Sequence, residues 1–190
     1  MKIALIGYGK MGKMIEEQAI ARNHEIALKI DMDNRSNITP EQLKQCDVAI
    51  EFTHPSAVIK NLSICFDAGI PVVCGTTGWN NQLERMTELC QKKNGKFFYA
   101  SNFSLGVNIF FRLNEFLAKL MKNRRGYDVE MEEQHHIHKK DAPSGTAITL
   151  AETILENSEF KNKFSIQKSD NAEDLFIRVI RENEIPGTHQ

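Results

Sequence analysis

Along roughly the first hundred residues, short apolar runs alternate with longer stretches whose apolar positions recur every three or four residues. The runs fit buried strands and the stretches fit helices with one inward face. "KIALIG", "HEIALKID", "DVAIEFT", "IPVVCGTTG" and "KFFYASNF" predict five strands. Between them "MGKMIEEQAIAR" predicts a helix with Met14, Ile15, Ala19 and Ile20 inward, and "SAVIKNLSICFDAG" and "NNQLERMTELCQKKNG" predict two more. Strands alternating with helices of this length imply parallel pairing and right-handed crossovers. The fold class expected is α/β, a Rossmann-like doubly wound parallel sheet, up to about Asn102.

The texture changes after Gly106. "VNIFFRLNEFLAKLMKN" puts Val107, Phe110, Phe111, Leu113, Leu117, Leu120 and Met121 at helical spacing. "YDVEMEEQHHIH" alternates as a strand, and "PSGTAITLAETILEN" predicts a last helix with Pro143 near its first turn. A boundary near residues 103 to 106 then separates a first α/β domain, 1–105, from a smaller α+β domain, 106–190. No repeat or low-complexity segment interrupts either part.

The net charge of -1 supplies no global field toward nucleic acid or anionic lipid, so neither is an expected partner. The apolar opening breaks after Ile6, which fits neither a signal peptide nor a membrane span. Cys46, Cys65, Cys74 and Cys90 are widely spaced and form no CxxC pair. That pattern predicts a reduced, cytoplasmic chain.

"GYGKMG" supplies Gly7, Gly9 and Gly12 in GxGxxG spacing, between a predicted strand and a predicted helix, which is the context the pattern needs. Gly7 permits the tight turn, Gly9 admits a pyrophosphate against the backbone, and Gly12 lets helix and strand approach. Lys10 and Met11 lie in the same turn. Asp31 follows Gly12 by nineteen positions at the end of the second strand, where a carboxylate can accept both ribose hydroxyls. Met32 cannot pair a 2′-phosphate, which favours NADH, while Lys29 and Arg35 keep NADPH open. "CGTTG" and "ASNFS" close two further strands at the edge where open α/β sheets bind ligands.

"EQHHIHKKDAPSGTA" (133–147) is the densest chemistry in the chain. A metal site would use His136 and His138, which share a face of an extended strand, but no further ligands come at zinc spacing. A surface strand end is a second reading. Proton transfer is the third: histidine and lysine supply the groups, and the Pro-Ser-Gly-Thr turn offers amides to a substrate carboxylate. With a hydride donor upstream, this describes reduction of a small anionic substrate. Two other classes compete: a dinucleotide-binding fragment or sensor without turnover, and a semialdehyde dehydrogenase using Cys74 as nucleophile.

The same stretch, with "EFTHP", "GTTG" and "SNFSLGVN" in order, resembles the 4-hydroxy-tetrahydrodipicolinate (dihydrodipicolinate) reductases of lysine and diaminopimelate biosynthesis. The resemblance implies NAD(P)H-dependent reduction of 4-hydroxy-tetrahydrodipicolinate, a small cyclic dicarboxylate imine, to tetrahydrodipicolinate, with loss of water. It implies His135 and Lys139 as catalytic residues and His136, Gly145 and Thr146 as substrate-binding ones. It adds Gly75, Thr76, Thr77, Ala100, Ser101, Asn102 and Phe103 to the cofactor contacts, and implies a homotetramer joined through the second domain's sheet. Members continue past the point where "IPGTHQ" ends this chain, so the second domain is expected to be incomplete and to carry part of the oligomerisation surface.

Overall fold

The computed structural model describes residues 1–34 and 38–190. Arg35, one of the two residues weighed for NADPH, lies outside them. The chain divides into two compact units, Met1–Ser101 and Asn102–Gln190.

The first unit strings together β1 (Lys2–Ile6), α1 (Lys10–Ala21), β2 (Glu25–Ile30), the short α2 (Pro40–Leu43), β3 (Val48–Glu51), α3 (Pro55–Ala68), β4 (Val72–Cys74), α4 (Leu83–Lys92) and β5 (Phe97–Tyr99). All strand pairs are parallel, in the order β2-β1-β3-β4-β5. Chain direction across the sheet reverses between β1 and β3, the switch point where such sheets open a ligand crevice. Strand alternation covers both faces: Ala4 and Ile6 pack with Val58, Leu62 and Phe66, while Ile3 and Leu5 pack with Ala19. The inward stripe of α1 differs from expectation. Gly12 and Ala19 are buried and Ile15 is partly so, but Met14 and Ile20 are more than half exposed.

The second unit contains α5 (Leu105–Met121), β6 (Met131–His135), α6 (Gly145–Asn157), β7 (Lys163–Ser165), β8 (Asp174–Arg181) and β9 (Thr188–His189). Its sheet is mixed, ordered β7-β8-β6-β9, with only β9 antiparallel to its neighbour. The core joins Leu150, Ala151 and Ile154 of α6 to Met131, Leu175 and Ile177 of the sheet. Helix α5 forms as its periodicity predicts, and among the described residues its apolar contacts with this core come from Phe111 and Ala118. Leu113, Leu117 and Leu120 stay exposed, contrary to an inward stripe. Pro143 stands near the first turn of α6 as expected, immediately before the cap residue Ser144 and after a cis Ala142–Pro143 bond.

Candidate active site

In the first unit, the turn after β1 is shaped by contacts a side chain would break. Gly7 has φ +99, and a Cβ there would lie 2.0 Å from the carbonyl oxygen of Phe52. A Cβ on Gly12 would lie 2.2 Å from the Gly7 oxygen. Gly9 is different, since a Cβ there would meet nothing within 4 Å. Gly9 caps α1 without a side-chain hydrogen bond, and no acid sits in the first turn. The opening amides of α1, at Lys10 and Met11, therefore have no side-chain cap among the described residues and lie at the helix's partial positive end, beside the open space at Gly9, a geometry that fits a pyrophosphate.

Asp31 follows β2 and is exposed, with one carboxylate oxygen accepting the Met32 amide at 2.7 Å and its own amide donating to Asn34 Oδ1 at 2.8 Å. Met32 is 81% exposed. Lys29 is tied to Glu16 by an ion pair and lies over the Tyr8 ring, 4.9 Å from its centroid. Tyr8 in turn donates to Glu16. This binds the Lys29 ammonium to its own strand–helix pair.

At the next strand ends, fully buried Glu51 gathers four neutral donors: Thr53, Asn61, Cys74 and Thr76. The Thr76 hydroxyl also accepts the Thr53 amide at 2.7 Å, so this side chain braces two loops. Thr77 is exposed. Gly75 leaves room for the Phe52 ring, which a Cβ would meet at 2.2 Å. Cys74 is fully buried, and burial, reinforced by the Glu51 carboxylate, pushes its thiol well up. A thiol so held is no nucleophile, which removes the semialdehyde dehydrogenase reading. Ala100 and Ser101 end the first unit, and Asn102 and Phe103 begin the second. There the Asn102 side chain accepts the Ser104 amide at 2.8 Å.

The second unit assembles the His-Lys segment where β6 stops. Along β6 the inward positions are Met131, Glu133 and His135, running from core to surface. The strand ends at His135, and the Lys139 amide closes a turn onto the His136 carbonyl at 3.1 Å. His136 and His138 therefore do not share a strand face, and exposed His138 pairs with Glu184 instead. The Lys139 ammonium bonds both oxygens of Asp141 at 2.9 Å. Burial opposes ionisation of Asp141, but Lys139 outweighs it and holds the carboxyl below its ordinary range.

His135 is nearly buried, and its Nε2 meets no hydrogen-bond partner among the described residues, nor does His136 Nδ1. Burial first, then the Lys139 charge, lowers the His135 pKa, so the ring is held neutral. The chain folds back over it at Gly187 (φ +155), where a Cβ would stand 2.8 Å from the ring. Ser144 caps α6 with its hydroxyl on the Ala147 amide, leaving the Gly145 and Thr146 amides at the first turn without an intrahelical partner.

Three residues escaped the sequence reading. Glu133 is fully buried and accepts the Ser144 amide at 2.9 Å and Arg181 at 2.7 Å. Arg181, opposite His135 on β8, also donates to the Asp141 carbonyl. His189, on β9, lies 3.0 Å from the Ser144 hydroxyl and stacks edge-on against His135. Ligand atoms of Glu133, His135 and His189 fall within 4.8 Å of one another. Both Glu133 oxygens are already engaged, however, and Arg181 and Lys139 add positive charge, so the trio is a poor host for a dication.

Known proteins place these features in one family. The family model for dihydrodipicolinate reductase, N-terminus, matches residues 1–103, and that for dihydrodipicolinate reductase, C-terminus, matches residues 106–190. A 4-hydroxy-tetrahydrodipicolinate reductase from Christiangramia forsetii is 47% identical over 189 residues, 100% of this chain and 78% of its own length. One from Archaeoglobus fulgidus is 34% identical over 85% of this chain and 67% of its own. Among solved structures, the dipicolinate-bound dihydrodipicolinate reductase from Paenisporosarcina sp. TG-14 shares the fold at TM-score 0.73 and 24% identity, covering 100% of this chain and 82% of that one. Aspartate semialdehyde dehydrogenase II from Vibrio cholerae shares it more loosely, at TM-score 0.55 and 9% identity over 99% of this chain and 70% of that one. The chain belongs to the dihydrodipicolinate reductase family.

Proposed function

We propose that this chain is a 4-hydroxy-tetrahydrodipicolinate reductase acting in lysine and diaminopimelate biosynthesis, with NADH as preferred reductant. The observation that carries this reading is in the second unit: an ammonium, two imidazoles and the free amides of a capped helix start converge at the end of one strand. The name of the Paenisporosarcina structure supports a small cyclic dicarboxylate as ligand, and free helix amides suit a carboxylate.

When bound, the reduced nicotinamide would supply a hydride to a ring carbon of the unsaturated cyclic imine left once water leaves the hydroxylated precursor. In this reading Gly145 and Thr146 hold one substrate carboxylate and His136 orients the ring. Lys139 carries the proton that completes the reduction, and Asp141 keeps its ammonium charged and aimed. His135, neutral and with a free Nε2, supports charge as it develops.

The first unit holds the dinucleotide. Gly7, Gly9, Lys10, Met11 and Gly12 take the pyrophosphate and Asp31 the ribose. Gly75, Thr76 and Thr77, with Ala100 and Ser101, line the nicotinamide side, while Asn102 and Phe103, which open the second unit, are cofactor contacts as the family resemblance implies. Thr76 does so through its backbone, its hydroxyl being engaged inside. NADH is preferred because Met32 offers no cation and Lys29 is held by Glu16. The working protein is read as a cytoplasmic homotetramer. Four buried free cysteines support a reducing compartment, and no helix among the described residues is long and apolar enough to cross a membrane. The two-residue β9 leaves a sheet edge open to further pairing. Domains 1–105 and 106–190 divide these roles between cofactor and substrate.

The test is NADH oxidation on addition of the cyclic precursor generated in situ. Consumption in step with precursor is expected. Tight NADH binding with no oxidation would mean a dinucleotide-binding protein without turnover.

A further inference from the structure

Glu133 is a carboxylate with no exposed surface on a central strand. Burying a charge costs several kcal/mol, and apolar replacements of buried ion pairs are often as stable. A core position that served packing alone would be filled like Met131, two residues before it on the same face. What Glu133 holds is the turn that opens α6.

We propose that Glu133 is a positioning residue for substrate binding, acting through the Ser144 amide. It rests on the reading that the Gly145 and Thr146 amides seat a substrate carboxylate. Those amides point where the backbone at Ser144 aims them, and Ser144 is fixed at two atoms. Its nitrogen donates to Glu133 Oε2 at 2.9 Å. Its hydroxyl accepts the Ala147 amide at 3.2 Å and contacts His189 Nε2 at 3.0 Å. The Glu133 bond is the one that holds the peptide from behind, on the rigid side of the sheet. A bare anion beneath an anion seat would repel its ligand. Arg181 removes that conflict by pairing the other oxygen at 2.7 Å. Burial resists ionisation of Glu133, but the Ser144 and Arg181 hydrogen bonds prevail and keep the carboxyl ionised. Both oxygens are needed: an amide in place of the carboxylate serves one donor and turns its own N–H groups against the other.

The experiment measures dipicolinate and NADH affinities by calorimetry, with thermal melts alongside, on the parent and three variants. Gly145→Pro tests the underlying seat. Proline suits the first position of a helix, Ser144 before it is already extended at ψ 158, and a Cβ on Gly145 has open space. This change deletes one amide donor and leaves the helix. Glu133→Gln removes one of the two acceptors, and Glu133→Asp keeps the charge but draws the oxygen back from Ser144. All three are expected to weaken dipicolinate about tenfold or more, with NADH affinity within about twofold of the parent. If Gly145→Pro weakens dipicolinate while both Glu133 variants bind normally, the seat stands and the role of Glu133 is refuted. If Glu133→Asp is spared and Glu133→Gln is not, the charge matters rather than the bond to Ser144, and the proposal falls. If Gly145→Pro binds normally, the seat itself is wrong and the proposal falls with it. Should Glu133→Gln fail to fold, Glu133→Asp decides alone.

Discussion

Asp31 carries the most local assignment in the molecule. It stands exposed just after β2, and among the described residues the Met32 amide is the donor to its side chain. On the proposed reading this carboxylate would accept two ribose hydroxyls through charge-assisted bonds, each worth about 1.5–3 kcal/mol. Asp31→Ala should weaken NADH by about tenfold or more, with a smaller loss for NADPH. Equal losses for both, or none, in a fluorescence titration would refute the ribose contact. The roles proposed for Asp31 and the glycines could be read from the sequence because they rest on short spacings. Glu133 and Arg181 were not, since 48 positions separate them and only the parallel register of β6 with β8 joins them. One signal was present: strict alternation along "MEEQH" puts Glu133 on the same face as His135.

At the scale of elements, period revealed type and missed orientation. Every predicted strand and helix of the first unit forms, because each run is long enough to commit the backbone before any partner is chosen. Which side of a helix is buried depends on the surface it meets. In α1 the close approach of Gly12 to the Gly7 oxygen turns Ala19 and Ile15 inward and leaves Met14 and Ile20 outside. Helix α5 reads as amphipathic, yet within its unit it rests on α6, with Asn114 donating to the Leu150 carbonyl at 3.1 Å. A single helix cannot cover the whole apolar stripe. Alternation through residue 138 also read too far, since the turn at His136–Lys139 ends β6 at His135. That early stop is what gathers Lys139 and Asp141 beside the strand end instead of extending the sheet.

At the scale of the whole molecule, four buried or paired titrating groups share one sign. His135 and His189 are held below their ordinary value of 6.5, burial being the main cause for each. Glu133 and Asp141 are held below 4.5 and 3.8, their hydrogen bonds outweighing burial. In every case the unfolded chain takes up protons first as pH falls, so stability is full above the unfolded value and is lost below it. The melting midpoint should hold near neutrality, begin to fall as pH drops through about 6.5, and fall further as the carboxylates protonate. A midpoint that is flat or rising between about pH 7 and 5 would mean the histidines are not held neutral in the fold. The proposed reduction ends with proton transfer from Lys139 in the second unit, so the decisive measurement is the turnover number of Lys139→Ala. General acid catalysis contributes about 10²–10⁴-fold, so kcat should drop by that factor while NADH affinity stays near the parent value. A near-normal kcat would rule out Lys139 as proton donor and leave the segment a charged strand end.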